Sequence, residues 1–244
     1  VKCKNCGYEL AKEFRFCPLC GLPADESWES HFFAGVLADY GGDPEGAMEK
    51  YRRALEVDPA NDYVLVRVGL THYHRGQLTE AIAALEEAVK AKPASAPARY
   101  FLGLCYYRAA REEEAIDCFH RALEIEPETE MAYYWLGLLY YHVGKTRDAI
   151  KAFDALLERN GDITIAYYQR GLAAARLGLK EETVKSFETV VEKSPGSAVA
   201  FAELGEAYFA LGDNQRAAEA LKQAIALNPD DKKSKAVLDL IFSS

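Results

Sequence analysis

Four of the six cysteines fall in the first 20 residues, as Cys3-x2-Cys6-Gly7 and Cys17-Pro18-x-Cys20-Gly21, with ten residues between the pairs. Each glycine permits a turn that aims backbone N–H groups at sulfur. Two such pairs make one tetrahedral thiolate site with no position left for substrate water, which is structural metal chemistry. Leu10 and Phe16 are predicted to pack between the pairs. So short a segment cannot hold itself by apolar burial, and bound zinc can contribute on the order of 10 kcal/mol to folding. One zinc ion on Cys3, Cys6, Cys17 and Cys20 is therefore expected. Iron at the same four sulfurs is the alternative, and it would carry one electron. A redox pair is a poorer account, because two facing pairs are explained by one ion.

Other chemistry is sparse, and the chain is expected not to be an enzyme. His72 and His74 are two residues apart, so on a helix they point to different faces and cannot share a metal. Cys105 and Cys118 are predicted to be small buried hydrophobes. No phosphate loop, nucleophile elbow or paired histidine–glutamate motif occurs, and no catalytic residue is assigned.

The rest of the chain is periodic. Gly35, Gly69, Gly103, Gly137, Gly171 and Gly205 are each 34 residues apart. Immediately before the glycine stands Val68, Leu102, Leu136 or Leu204, and three residues after it Tyr106, Tyr140 or Tyr208. Seven after it stands Gly42, Gly76, Gly144, Gly178 or Gly212. Ala47, Ala81, Ala115, Ala149 and Ala217 follow, and four beyond that position lie Tyr51, Leu85, Phe119, Phe153, Phe187 and Leu221. Pro59, Pro93, Pro127, Pro195 and Pro229 close most units. Large residues three and four apart give each helix one apolar stripe, and the small residues let two helices approach closely. The second glycine suits the left-handed end of a first helix. Asp43-Pro44-Glu45 reads as a cap, a first-turn proline and an acidic first turn.

This pattern resembles the tetratricopeptide repeat, W-x2-L-G-x2-Y, then A-x3-F, then P. The resemblance implies an all-α solenoid of six helix–turn–helix units: 28–61, 62–95, 96–129, 130–163, 164–197 and 198–231. Residues 1–22 form the cysteine module, 23–27 a short linker, and 232–244 a capping helix with Val237, Leu240 and Ile241 at helical spacing. Two units depart from the pattern. The fourth ends in Asn160-Gly161 and has Leu156 where most others have alanine. The fifth has Arg170 at a leucine position and Thr183 at a small-residue position. Arg170 either extends its charge to water or marks a bend or a local charge pair.

The cysteine module resembles the short zinc ribbons of bacteria and archaea, and its Gly7-Tyr8 and Cys17-Pro18 steps also resemble rubredoxin-type iron sites. Lipopolysaccharide assembly protein B joins the same repeat to a rubredoxin-like site. That family has the metal module at its C-terminus and a membrane anchor at its N-terminus, an arrangement not seen here. The leading expectation is a protein–protein adaptor. An iron electron carrier and an envelope-assembly adaptor are the alternatives.

In the repeat family, one face of each first helix lines a partner-binding groove. Carried onto this chain, it comprises Tyr73, Tyr100, Leu104, Tyr107, Arg108, Tyr134, Leu138, Tyr141, His142, Tyr168, Leu172 and Arg176. Leu70 extends the row of leucines at a position where asparagine is usual. Tyrosines supply apolar area with a hydroxyl handle, which suits a peptide ligand. The family's carboxylate clamp needs lysine and asparagine where this chain has Phe32 and Val36, so that ligand is not expected.

Composition narrows the partners. With 29 basic and 38 acidic side chains the net charge is −9, which gives no general affinity for nucleic acid or anionic membrane. In the module, Lys2, Lys4, Lys12 and Arg15 are balanced by Glu9, Glu13, Asp25 and Glu26, so no basic footprint remains. The longest nearly apolar stretch, Met131–Tyr141, is too short to span a bilayer. The N-terminus opens on cysteines rather than a basic and then apolar run, so no signal peptide and a reducing cytoplasm are expected.

Overall fold

In a computed structural model, the described residues are 2–3, 6–9, 17–21 and 27–243. Contacts divide the chain into two compact units, residues 1–127 and 128–244. The expected packing of Leu10 and Phe16, residues 23–26 of the linker and the balancing charges Lys4, Glu13 and their neighbours lie outside the described residues.

The first unit holds α1 (Trp28–Tyr40), α2 (Pro44–Val57), α3 (Asp62–His74), α4 (Leu78–Ala91), α5 (Ala96–Arg108) and α6 (Glu112–Ile125). The second holds α7 (Glu130–His142), α8 (Thr146–Arg159), α9 (Thr164–Arg176), α10 (Lys180–Lys193), α11 (Ala198–Leu211), α12 (Asn214–Leu227) and α13 (Lys232–Ser243). The first helices begin at residues 28, 62, 96, 130, 164 and 198, so each start is 34 residues after the last. No strand occurs among the described residues.

Each first helix packs on the second helix that follows it. Contact is closest at the mid-helix glycine. A Cβ on Gly137 would stand 2.5 Å from Phe153, and one on Gly69 would stand 2.5 Å from Leu85. Tyr51, Leu85, Phe119, Phe153, Phe187 and Leu221 are thereby all fully buried. Hydrogen bonds then tie neighbouring pairs. The Tyr51 hydroxyl donates to Asp39 at 2.6 Å and Thr71 donates to the same carboxylate, joining α1, α2 and α3. The Tyr106 hydroxyl donates to Glu86 at 2.6 Å, and the Tyr208 hydroxyl donates to Glu188. Burial first, and then the carboxylate, pushes the Tyr208 hydroxyl up to about 12.

The caps follow from residue type. Asp43 accepts from Gly46 N at 2.9 Å ahead of Pro44, as the sequence predicts. Gly42, Gly76, Gly144, Gly178 and Gly212 all take positive φ where the first helix ends. The third unit has Ala110 at this position and keeps the left-handed turn at φ 54°. The Cβ of an L-residue crowds a carbonyl oxygen there.

The departures have physical accounts. Arg170 is not extended to water but bonded between the fourth and fifth repeats. It pairs with Asp154 of α8, donates to Ser186 of α10 at 2.9 Å and reaches Glu182 at 3.3 Å. Gly161 stands in place of the proline, and beside it Asn160 donates to Glu130 at 3.0 Å and accepts from Asp162 N, so its amide organises the turn. In α13, Ile241 packs on the preceding core and Ser234 is buried, whereas Leu240 is exposed. Residues 234 and 241 share one helix face, and residue 240 lies off it.

Two substitutions test this packing. Ala110→Gly should raise unfolding stability by roughly 0.5–1 kcal/mol through relief of the left-handed strain, net of the added chain entropy. Gly137→Ala should lower it by about 1–3 kcal/mol, because the new methyl cannot share space with Phe153. Chemical denaturation measures both, and a stabilised Gly137→Ala would contradict the close approach.

Candidate functional site: a four-cysteine centre and the first-helix faces

The cysteine centre is built from two knuckles. Cys3 N donates to Tyr8 O at 2.7 Å and Gly7 N to Cys3 O at 2.9 Å, with Lys2 and Glu9 bridged in antiparallel fashion. In the second knuckle Gly21 N donates to Cys17 O at 2.8 Å. Gly7 and Gly21 take φ of 75° and 72°, so each knuckle needs its glycine. The four sulfurs lie within 4.8 Å of one another, at 3.7 Å for Cys3–Cys20 and 3.5 Å for Cys6–Cys17. A tetrahedron with metal–sulfur bonds of about 2.3 Å has sulfur–sulfur edges of about 3.7–3.8 Å. The donor set and spacing therefore fit one four-coordinate ion. None of the six cysteines is in a disulfide.

A backbone hydrogen bond from Tyr8 lowers the Cys6 thiol pKa, while desolvation and the Cys17, Cys3 and Cys20 thiols raise it, leaving it at about 12. Thiols that resist ionising side by side become thiolates when a cation sits among them. Cys3 and Cys17 are buried and Cys6 is exposed, so the centre opens to solvent on one edge.

The first-helix faces carry the predicted groove residues. In the first unit Tyr73, Tyr100, Leu104 and Tyr107 are half-buried, and Arg108 is exposed. Tyr100 lays its ring edge on Phe119 with centroids 5.7 Å apart, so it serves its own pair as well as the surface. The Arg108 guanidinium lies 4.7 Å over the Tyr73 ring, which links adjacent repeats while leaving the charge at the rim.

The second unit repeats the device. Tyr134 and Tyr168 set their rings against Phe153 and Phe187, at 6.2 and 5.7 Å. Arg176 lies 4.9 Å over Tyr141 and also donates to Tyr141 O at 2.9 Å. Leu138 and Leu172 are half-buried against their unit's core, and His142 is exposed beside Tyr141. At the α11 end the face turns acidic. Burial and then Glu206 raise the Glu203 carboxyl against the pull of Lys233, and Glu206 pairs with Lys233 at 2.6 Å.

Two cavities open on the first unit. One, of about 610 Å³, is lined by Phe32, Tyr63, Val66, Leu70, Phe101 and Ile125, with Arg67 and Lys92 among its polar groups. Lys92 stands 5.0 Å over the Tyr63 ring and 3.5 Å from Asp62. The other, of about 380 Å³, lies beside Asp39, Tyr40, Leu70 and His74. The sequence reasoning named Leu70 but missed Tyr63, Phe101, Lys92 and Ile125. Aligning positions 2 and 6 of the units would have shown Tyr63 and Phe101 on the same face. Lys92 and Ile125 come from second-helix ends, for which the pattern gives no signal.

Tetratricopeptide-repeat family models match residues 72–133 and 181–241 in one form, and 32–96 and 134–198 in another. A zinc-ribbon domain model matches residues 2–23. Among solved structures the chain is similar to YrrB, described as a TPR protein with an unusual peptide-binding site. The two are 26% identical with a TM-score of 0.71, over 77% of this chain and 96% of that one. It is similar to MamA at 33% identity and a TM-score of 0.63, over 66% of this chain and 94% of that one. Pseudomonas aeruginosa pilF, at 17% identity and a TM-score of 0.71 over 87% and 97%, shares the fold. No curated protein matches the chain at a significant level. Among the described residues no helix is long and apolar enough to cross a membrane.

Thiol titration separates the two cysteine populations. Burial pushes Cys105 up to about 11 and Cys118 up to about 12. At pH 8 their thiolate fraction is then on the order of 10⁻³ or less. After chelation of metal, four of the six thiols should react with a disulfide reagent promptly, and the other two should wait for unfolding. Prompt reaction of all six in the folded protein would contradict this burial.

Proposed function

Since the chain belongs to the tetratricopeptide-repeat family, we propose that it is a non-enzymatic adaptor that holds a partner peptide on its first-helix faces and carries one structural zinc ion in its knuckles. The observation that carries this is the apolar cavity of about 610 Å³ among Phe32, Val66, Leu70 and Phe101, with Arg67, Lys92, Asp62 and Glu126 beside it. This volume lies within the range of roughly 300–1,000 Å³ typical of ligand-binding clefts. The rim supports a ligand with acidic as well as apolar groups. Arg108 and Arg176 keep exposed charge over tyrosine rings, and α5 and α9 carry no acidic residue. The peptide-binding site ascribed to YrrB supports the same use of the fold.

Zinc is supported by the match to the zinc-ribbon family and by a closed four-sulfur set. It would hold Cys3, Cys6, Cys17 and Cys20 together and supply rigidity rather than chemistry. Cysteines spaced for one metal ion rather than for disulfides suit a reducing compartment, so the cytoplasm is the proposed location.

Two measurements test the proposal. Purified protein should hold one equivalent of zinc and be colourless, and a red iron protein with reversible one-electron reduction would contradict it. Partners captured from a lysate and identified should bind less tightly to Tyr107→Ala and to Tyr141→Ala, each by roughly 2 kcal/mol or more if these are anchors. Undiminished binding by both folded variants would place the binding surface elsewhere.

A further inference from the structure

Counting from the start of each unit, position 10 is Thr71, Cys105, Leu139, Ala173 and Ala207 in the second to sixth units. All five are at most 5% exposed. The same position in the first unit is Leu37, and it is 54% exposed. Phe33, one helical turn earlier, and Tyr40 are also open. The outer face of α1 thus has the apolar residues of a covered repeat surface without the cover. Elsewhere in the chain, exposed apolar groups also stand on the knuckles. Leu19, between the second pair of cysteines, is 66% exposed, and Tyr8 flanks the first pair in the open.

We propose that these two surfaces meet: the knuckle module docks Leu19 and Tyr8 on Phe33 and Leu37 of α1 and takes the place of a preceding repeat. The proposal rests on the knuckles being a folded, metal-held module. Reach allows it. Six residues separate Gly21 from Trp28, which span about 20 Å or more when extended. Leu37 lies nine residues along α1 from Trp28, or about 14 Å.

Size favours this occupant over a second molecule. A stable interface between separate proteins buries about 1,200–2,000 Å², far beyond three side chains on one helix. A tethered partner needs no such area, because a short linker holds it at a local concentration in the millimolar range. The knuckles supply apolar tips of matching scale, and covering both sets removes exposed leucine and aromatic surface from water.

Nuclear magnetic resonance on the intact zinc-loaded chain tests this. Cross-peaks are expected between the Leu19 methyls and the protons of Phe33 or Leu37, and knuckle amides should share the slow tumbling of the repeats. Leu37→Glu should abolish the cross-peaks and free the knuckles, with zinc content and repeat helicity unchanged. Leu19→Ser, which leaves the repeats untouched, should do the same. Independent tumbling of the knuckles in the native chain would overturn the proposal, as would unchanged knuckle order in both variants. Concentration-dependent protection of Leu37 in a dimer would overturn it in favour of a second copy. A chain without bound metal fails in metal analysis beforehand, which sinks the metal proposal and this docking together, whereas a zinc-loaded chain lacking cross-peaks sinks the docking alone.

Discussion

The structure depends on how closely the two helices of each pair can approach. A glycine at the middle of the first helix leaves room for one large side chain from the second. Any Cβ there would come within 2.5–3.0 Å of that side chain. The gap is filled by tyrosine, leucine or phenylalanine, and each filler is fully buried. Interiors pack at crystal-like density, so one methyl group at this point is felt throughout the pair. With the centre of each pair fixed, the remaining faces of the first helix have set tasks. Within each compact unit one side meets the neighbouring helix pair, and another is left to face solvent.

The solvent-facing side is where chemistry can vary without harming the stack. Its tyrosines are half in the core, with rings set against buried phenylalanines and the remainder open. Arginines lie over two of the tyrosine rings rather than in ion pairs with neighbouring acids. Charge is divided within the third pair. Helix α5 carries Arg99 and Arg108, while α6 carries Glu112, Glu113, Glu114, Asp117 and Glu124 against Arg121. A protein with a net charge of −9 can therefore present a cationic, aromatic surface locally. The knuckles are held differently. They bring four sulfurs together around one point, a donor set that a bound cation would hold and stabilise.

Much of this was legible in the sequence because it is periodic or stereochemically demanding. The 34-residue glycine spacing located every helix pair, and the cysteine spacing located the four-sulfur cluster. Left-handed turns were readable wherever glycine marks them, and Ala110 keeps the turn without the marker, at φ 54°. What could not be read depends on partners distant in sequence. Arg170 looked like an intruder at a leucine position, and only the spatial nearness of Asp154, Ser186 and Glu182 explains it. The cavity beside Leu70 was missed in part because Lys92 and Ile125 reach it from helix ends outside the repeat signature. Leu240 fits a helical apolar pattern but lies off the packed face of α13, a difference of one residue in a seven-residue spacing.

The central claim is that the first-helix faces, and not the second helices, receive a partner. Hydrogen exchange on the intact protein tests it most directly, with and without peptides selected from a displayed random library. Selected peptides should carry apolar and acidic residues together, and on binding should slow exchange in α3 and α5 of the first unit or in α7 and α9 of the second. Protection confined to α4, α6, α8 or α10, or selection of basic peptides, would contradict the account.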